Sequence, residues 1–203
     1  MSMIYHKWKL IFVGIPKNAS TSLHMMLTNK TDYQGVGQNH RTIFDEYEEN
    51  DEDLLMHYDS LCIVRNPYDR FFSAFKFQFP YNGPISMDNY KNAFNEFAQS
   101  VNKPSLQNNL SNEHYWPQYK FVTMNKRIVV DDILRYESLE DDWKEYQKKW
   151  NQRRQLPYKM NLPLQHQNSS DIEIHWSDIY EGESREEVYE YYRHDFEIFG
   201  YKK

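Results

Sequence analysis

One short stretch constrains the fold of this chain most: an apolar run that ends in glycine and leads into a helix. Residues 9–15 read KLIFVGI, a pattern typical of a buried parallel strand. In the stretch that follows, 20–30, Leu23, Met26 and Leu27 have helical spacing, so a helix is predicted to begin near its first residue. A buried strand, a tight loop and a helix in this order predict an α/β fold with a phosphate site at the loop.

Two further strands and several helices complete the predicted architecture. The strands are predicted at 60–65 (SLCIVR) and within 126–137 (KRIVVDDILRYE). The helices are predicted from near Pro67, over 87–101, from a Ser138 cap to about Trp150, and from a capping box of Ser184 and Glu187 to Phe199, where Gly200 ends the chain's last helix. Because few strands alternate with helices, we expect a small parallel sheet flanked by helices in a single domain, 1–203.

The composition is that of a folded protein without excess positive charge. The 203 residues include 24 Lys and Arg against 30 Asp and Glu, which gives a formal net charge of −6. The share of apolar residues excludes a disordered chain, and the negative charge argues against a nucleic-acid partner. A site that binds an anion must therefore concentrate its positive groups locally.

Cysteine content and hydropathy bear on the cellular location. The single cysteine, Cys62, permits neither an intrachain disulfide nor a cysteine-based zinc site. No apolar run approaches the roughly 20 residues that cross a bilayer, and the N-terminal apolar run is too short for a signal peptide. We expect a cytoplasmic protein without a membrane span.

Residues 14–22, GIPKNASTS, have the composition of a phosphate-binding loop. Small residues let the backbone wrap a phosphate, and the N-terminus of the following helix attracts anions. The ATP-type loop is G-x-x-x-x-G-K-[ST], and alignment on Gly14 puts Ala19 at its second glycine and Ser20 at its lysine. Lys17 lies too early, which disfavours a standard Mg-nucleotide triphosphatase. An ordinary strand-to-helix turn with a serine cap is the alternative interpretation.

Residues 64–75, VRNPYDRFFSAF, follow the second predicted strand. Arg65 falls at the carboxyl end of that strand, where open α/β sheets bind ligands. Ser73 lies eight residues later on the next predicted helix, and an Arg and a Ser so arranged can bind one phosphate. Asp69 and Arg70 are interpreted as structural: a helix-start carboxylate and a surface or interdomain ion pair.

Together, IPKNASTS and VRNPYDRFFSAF resemble motifs of the sulfotransferases that use 3'-phosphoadenosine 5'-phosphosulfate (PAPS), especially the carbohydrate sulfotransferases. The resemblance is clearest over 9–79 and extends in weaker form to 129–143 and 162–201. It implies a P-loop, nucleotide-binding sulfotransferase-like α/β fold, with PAPS as donor and no metal. No motif matches 80–125, where acceptor specificity is expected to reside.

In that family the first motif binds the 5'-phosphosulfate and the second binds the 3'-phosphate. PAPS has no γ-phosphate, so a lysine at the late position is not needed, and Lys17 would lie near the oxygen that bridges phosphate and sulfate. Residues 165–170 resemble a family loop that closes over the donor. The donor-binding residues implied by the resemblance are Lys17, Asn18, Ala19, Ser20, Thr21, Ser22, Arg65, Ser73 and Ser170.

The resemblance also implies in-line transfer of a sulfuryl group to an acceptor hydroxyl or amine. Lys17 and the loop N–H groups would stabilise the leaving phosphate oxygen, and a base would take the acceptor's proton. His40, in NHRTIF, resembles the H-x-[TS] element of many relatives and is the candidate base, with a surface or packing histidine as the alternative. The next candidates are His114 and Glu113, ahead of His57, His166 and His175.

The acceptor stays open at the level of sequence. The six basic residues of 144–159 fit a solvated helix face, or else an edge that binds a sulfated or uronate-bearing glycan. Four aromatic residues fit either the core or stacking on sugar rings: Tyr81, Tyr90, Tyr115 and Trp116. We expect a glycan or small hydroxyl compound as the acceptor substrate, with the oligomeric state undetermined. A P-loop small-molecule kinase and a catalytically inactive nucleotide-binding module are the alternative functions.

Overall fold

A computed structural model describes most of the chain: residues 3–28, 42–43, 45, 56–81, 86–103, 113–154, 156–164 and 174–203. The predicted base, His40, and the predicted donor contact Ser170 lie outside the described residues. Two compact units divide the chain. Unit 1 is Met1–Val64 with Lys120–Asn168, and unit 2 is Arg65–Tyr119 with Ser169–Lys203. The single domain over 1–203 stays a prediction.

The regular elements of the described residues are short and alternate in type. The strands are β1 (Met3–Tyr5), β2 (Leu10–Val13), β3 (Asp59–Val64), β4 (Thr123–Met124), β5 (Arg127–Ile128) and β6 (Asp132–Arg135). The α-helices are α1 (Ser20–Thr28), α2 (Pro67–Gln78), α3 (Met87–Gln99), α4 (Tyr119–Val122), α5 (Leu139–Arg153), α6 (Gly182–Tyr191) and α7 (Arg193–Phe199).

Unit 1 contains a four-stranded sheet in the order β1-β2-β3-β6. β2 and β3 run parallel with Leu10 opposite Asp59, and β3 and β6 run parallel with Leu61 opposite Asp132. All four residues of β2 are buried, as expected of a strand covered on both faces. These three strands confirm the sequence prediction. The edge strand β1 is not predicted, since three residues are too few to form a pattern, and it pairs antiparallel with β2, so the sheet is mixed.

Helices α1 and α5 pack against the sheet in the core of unit 1. Alternate residues of β2 and β3 point into this core, as the period of a strand requires. α5 confirms the helix predicted after Ser138, although the Ser138 hydroxyl donates to Asp142 at 3.1 Å and makes no capping bond to the helix backbone. The main contributors to the core are Leu10, Phe12, Leu61, Ile63, Leu23, Met26, Leu27, Trp143, Tyr146 and Trp150.

Unit 2 is helical in its described residues and has an aromatic core. Phe71, Phe72 and Phe75 of α2 are all buried there. Phe94 of α3 contacts Phe72 edge to face, with ring centroids 5.2 Å apart, and Tyr180 at 4.8 Å. Such ring pairs each contribute about 0.5–1.5 kcal/mol beyond the area they bury. Packing of rings, rather than a sheet, therefore holds this unit together.

The C-terminal helix begins earlier than predicted and is interrupted. Ser184 occupies the third helical position, and the Glu181 N–H donates to its hydroxyl at 3.1 Å, so Glu181 is the cap and the predicted Ser184 cap is wrong. The helix breaks at Tyr192, whose φ of −103° and ψ of 17° separate α6 from α7. Gly200 ends α7 with a φ of 68°, which confirms that prediction.

Candidate functional site

The loop from Gly14 to Ala19 in unit 1 joins the carboxyl end of β2 to the start of α1. Lys17 and Ala19 have φ angles of 67° and 57°, in the left-handed region, whereas the intervening Asn18 does not have a positive φ. This conformation costs a residue with a Cβ about 1–2 kcal/mol. Anion-binding nests in proteins form where successive residues alternate between the two conformations in this way.

Side chains of the loop hold this backbone in place. The Asn18 amide Nδ2 is buried and donates to the Ile63 carbonyl of β3 at 2.8 Å. The Ser20 hydroxyl donates back to the Ile15 carbonyl at 2.7 Å. The loop is therefore fixed against the sheet by its own residues, before any ligand is bound.

The donor-binding residues predicted in the loop divide by their exposure. Lys17, Ser20 and Thr21 are partly exposed, so a ligand outside the loop can contact them. Asn18 and Ser22 are buried, with 0% and 6% of their surface exposed. Asn18 thus shapes the loop, and Ser22 packs inside unit 1; their predicted contact with a donor stays a prediction.

Arg65, the first residue of unit 2, precedes the cap of α2. The Asn66 side chain accepts from the Tyr68 N–H at 3.0 Å, and Pro67 occupies the first helical position, where its missing N–H costs nothing. The Arg65 guanidinium donates through Nε to Asp69 at 2.8 Å, and only 12% of the Arg65 side chain is exposed. The side chain is therefore oriented by α2 itself, with Asp69 as the helix-start carboxylate that the sequence predicts.

A second cation, Lys76 of α2, lies near Arg65. Burial lowers the pKa of Lys76, and the positive charge of Arg65 lowers it further. Ser73 is partly exposed one turn before Lys76. Two cations and a hydroxyl, on α2 and just before it, are the local concentration of positive charge that an anion site needs in an acidic protein. The sequence predictions miss Lys76 as a cation of this region, although its position one helical turn after Ser73 could have identified it.

Two residues that contact this region have no local sequence signal. The side-chain amide of Gln118 makes two hydrogen bonds to the main chain of Arg65. Asp195 in turn accepts from the backbone N–H of Gln118 at 2.7 Å. These residues come from distant parts of the chain, so no spacing rule identifies them.

Arg70 is not the surface or interdomain ion pair that the sequence suggests. Its side chain is fully buried in unit 2 and donates through Nη2 to the His114 carbonyl at 3.1 Å. Burial lowers the pKa of Arg70, while the nearby Tyr192 phenol and the Asp195 carboxylate raise it. The local pattern misleads because Arg70 lies on the same inward face of α2 as the buried phenylalanines.

The described base candidates lie in different surroundings. His114 is partly buried in unit 2 and stacks on Phe77 of α2, with ring centroids 5.0 Å apart. His57 is exposed, and His175 bonds the Ser177 hydroxyl at 2.7 Å through Nδ1. Of these histidines, His114 alone packs against the helix that carries Ser73. His40 and His166 lie outside the described residues.

The basic stretch 144–159 borders a surface groove of about 520 Å³ in unit 1. Lys144 donates to Glu140 at 2.8 Å, and Lys148 lies 3.6 Å from Glu145, in exposed pairs. Lys159 donates to a main-chain carbonyl of α5 at 3.2 Å. Exposed pairs of this kind contribute about 0–1 kcal/mol. The arrangement favours a solvated helix face over a glycan-binding edge.

The aromatic residues proposed for sugar stacking also divide by burial. Tyr90 and Tyr115 are 4% and 0% exposed and belong to the core of unit 2. Burial raises the pKa of the Tyr90 phenol to about 12, so it stays neutral at physiological pH. Tyr81 and Trp116 are partly exposed, and stacking of a sugar on them stays a prediction.

Within the described ranges, no group of three or more His, Cys, Asp or Glu side chains is arranged to hold a metal ion. In the same part of the chain, no helix combines the length and apolar character needed to cross a bilayer.

Comparison with known proteins identifies the family. Residues 2–202 match the model of the sulfotransferase family, which is nearly the whole chain. No curated protein and no solved structure matches the chain. The match agrees with the two motifs around the loop after β2 and around Arg65, and the chain belongs to the sulfotransferase family.

Proposed function

We propose that the protein transfers a sulfuryl group from PAPS to a hydroxyl of a carbohydrate acceptor. The observation that carries the proposal is the loop after β2, where the left-handed Lys17 and Ala19 give the backbone before α1 the alternation that is typical of anion-binding nests. Membership of the sulfotransferase family supports the sulfuryl transfer. The P-loop type of fold, the donor, the acceptor class and a cytoplasmic location are parts of the same proposal.

In this proposal the two motifs divide the donor between them, as the resemblance implies. The loop N–H groups and Lys17 bind the 5'-phosphosulfate, with Ser20 and Thr21 as further contacts. Arg65 and Ser73 bind the 3'-phosphate, and the nearby charge of Lys76 supports the assignment because a doubly charged phosphate favours two cations. Ser170 stays a predicted contact.

The chemistry is a single in-line displacement at sulfur. The acceptor oxygen forms a bond to sulfur while the bond from sulfur to the bridging oxygen breaks, and the electron pair of that bond passes to the 5'-phosphate. The Lys17 ammonium stabilises the charge that develops on the bridging oxygen. The acceptor proton passes to a base, for which His40 is the first candidate and His114 the second.

Calorimetry tests the donor site first. The purified protein is titrated with the desulfated product, adenosine 3',5'-bisphosphate (PAP), and separately with Mg-ATP. We expect PAP to bind and Arg65→Ala to weaken it by about 10–100-fold, because a hydrogen bond to a charged group contributes about 1.5–3 kcal/mol. Arg193→Ala is the matched control in unit 2, since Arg193 is exposed and pairs only with Glu190 among the ion pairs of the described residues.

The alternatives give different results. Binding of Mg-ATP without PAP would replace the proposal with a small-molecule kinase. PAP binding without transfer of ³⁵S from labelled PAPS to any glycan or small hydroxyl compound would favour an inactive nucleotide-binding module. Loss of turnover in His40→Ala with retention in His114→Ala would identify the base as His40, and the opposite result would identify His114.

A further inference from the structure

The main chain of Arg65 is held by a buried glutamine side chain. Gln118 is fully buried, and its Oε1 accepts from the Arg65 N–H at 2.9 Å. Its Nε2 donates to the Arg65 carbonyl at 2.8 Å. One amide therefore satisfies both backbone groups of the residue at which the chain passes from β3 to α2.

A buried carboxylate holds the glutamine in turn. Asp195, in the first turn of α7, is fully buried. Its Oδ2 accepts from the Gln118 N–H at 2.7 Å, and its Oδ1 accepts from the Tyr119 N–H at 2.8 Å. The positive charge of Arg70 favours the ionised form of this carboxylate. Asp195, Gln118 and Arg65 thus form a continuous series of hydrogen bonds inside unit 2.

The restraints on Arg65 should increase its affinity for a ligand. A side chain that is already fixed loses less conformational freedom when it binds a ligand, so its hydrogen bonds contribute more to affinity. Asp69 fixes the Arg65 guanidinium through Nε, and Gln118 fixes the Arg65 backbone from the other side. Loss of either restraint lets the guanidinium move away from the position that a phosphate requires.

We propose that Gln118 and Asp195 are positioning residues that hold Arg65 for recognition of the donor's 3'-phosphate. The proposal rests on the proposed function, because it takes Arg65 to be the 3'-phosphate ligand. It goes beyond that function in assigning a role to two buried residues that touch no ligand. The expected effect of their loss is confined to the 3'-phosphate.

The test compares two nucleotides that differ only in that phosphate. Dissociation constants are measured for PAP by calorimetry and for adenosine 5'-phosphate (AMP) by displacement of PAP, in the wild type and in Gln118→Met. Methionine keeps the length of the side chain but makes neither hydrogen bond. We expect PAP to bind about tenfold more weakly, because the released Arg65 must lose its freedom again when it binds the 3'-phosphate, and AMP to bind as in the wild type.

A matched substitution separates positioning from a general effect on the fold. Gln147 of α5 also holds a main-chain group, since its Oε1 accepts from the Leu162 N–H at 2.6 Å in unit 1. Gln147→Met should leave the ratio of PAP to AMP affinity unchanged. Should Gln118→Met fail to fold, Gln118→Glu keeps the acceptor for the Arg65 N–H and places an oxygen against the Arg65 carbonyl, and the ratio should fall again.

Steady-state kinetics with PAPS provide a second test. In Gln118→Met the KM for PAPS should rise about tenfold, while kcat at saturating PAPS should change less than about twofold, because Lys17 is untouched. Equal weakening of PAP and AMP in the Gln118 variants, or no weakening of either, would overturn the positioning role. A wild type that does not distinguish PAP from AMP would instead overturn the assignment of Arg65 in the proposed function, and the positioning role with it.

Discussion

The two units hold their candidate anion-binding groups in different ways. In unit 1, side chains of the loop itself hold it: the Ser20 hydroxyl reaches back five residues to Ile15, and the buried Asn18 amide bonds the Ile63 carbonyl of β3. In unit 2, Arg65 is held by Gln118, 53 residues away, and Gln118 by Asp195, a further 77 residues away. The candidate binding groups of the loop are mainly backbone N–H groups, whereas the candidate group in unit 2 is the Arg65 side chain, whose backbone another buried side chain holds.

This difference predicts how each site responds to substitution. A backbone site keeps its N–H groups whatever the side chains are, so the loss of Lys17 should affect chemistry more than structure. A site held by buried polar side chains is tied to the stability of its unit, because breaking one contact leaves another polar group unsatisfied in the core. Four predictions test this difference.

The largest effect is expected from Asp195→Ala. The substitution leaves the backbone N–H groups of Gln118 and Tyr119 without their acceptor, and each such loss costs about 1–3 kcal/mol, so the free energy of unfolding should fall by about 2–6 kcal/mol. Asn18→Ala in the loop of unit 1 should cost about 1–3 kcal/mol. Urea unfolding measures both, with the exposed Asp178→Ala as control. A smaller loss in Asp195→Ala than in Asn18→Ala would contradict the comparison.

Lys17→Ala should impair catalysis while leaving the fold intact. Removal of one group that stabilises developing charge typically lowers kcat by about 10²–10³-fold, and the midpoint of urea unfolding should stay within the error of the wild type. Single-turnover transfer from labelled PAPS measures the loss, with the exposed Lys149→Ala as control. A rise in KM for PAPS without a fall in kcat would show that Lys17 binds the ground state and transition state equally.

The same difference between the units determines which parts of the structure can be predicted from the sequence. Local patterns predict β2, β3 and the start of α1, because apolar runs and small-residue loops have distinct periods. The left-handed angles of Lys17 and Ala19 fall where the ATP-type alignment expects a special loop. Backbone-built features are therefore readable from a short window of residues.

Features that depend on distant contacts are not predicted. The residues around Arg70 in the sequence suggest a position at the surface. Arg70 is in fact buried, and it interacts with the charge of Asp195, more than a hundred positions away. The Gln118 and Asp195 contacts have no spacing rule at all. The break at Tyr192 escapes prediction because the residues on both sides favour a helix, and Tyr192 itself packs in the core of unit 2.

The stability of the protein should depend on pH through the buried Asp195 carboxyl of unit 2. Burial raises the pKa of Asp195 from 3.8 to about 6, while its hydrogen bonds and the charge of Arg70 act in the opposite direction. The other ionisable groups that face Asp195 are Tyr119, Tyr191 and Tyr192. Between pH 4 and 6 the unfolded state has released this proton and the folded state retains it, so stability falls as pH rises.

The expected decrease is about 1.4 kcal/mol for each unit of pKa difference, or on the order of 3 kcal/mol in total. Because other carboxylates also titrate, the measured quantity is the difference in unfolding free energy between wild type and Asp195→Asn from pH 4 to pH 7. As pH rises, the wild type should lose stability relative to Asp195→Asn, and the difference in unfolding free energy should become constant above pH 6. A constant difference would mean that the burial of Asp195 does not raise its pKa.

The smallest effect is expected from removing a methyl group in the loop. Ala19→Gly relieves about 1–2 kcal/mol of left-handed strain, while glycine's greater freedom in the unfolded chain offsets about 0.5–1 kcal/mol of that. The unfolding free energy should therefore rise by about 0–1.5 kcal/mol, and PAP affinity should be unchanged because the N–H groups remain. The same substitution at Ala98, buried in α3 of unit 2, should destabilise by about 1 kcal/mol or more. Equal losses at the two positions would mean that the loop stores no strain.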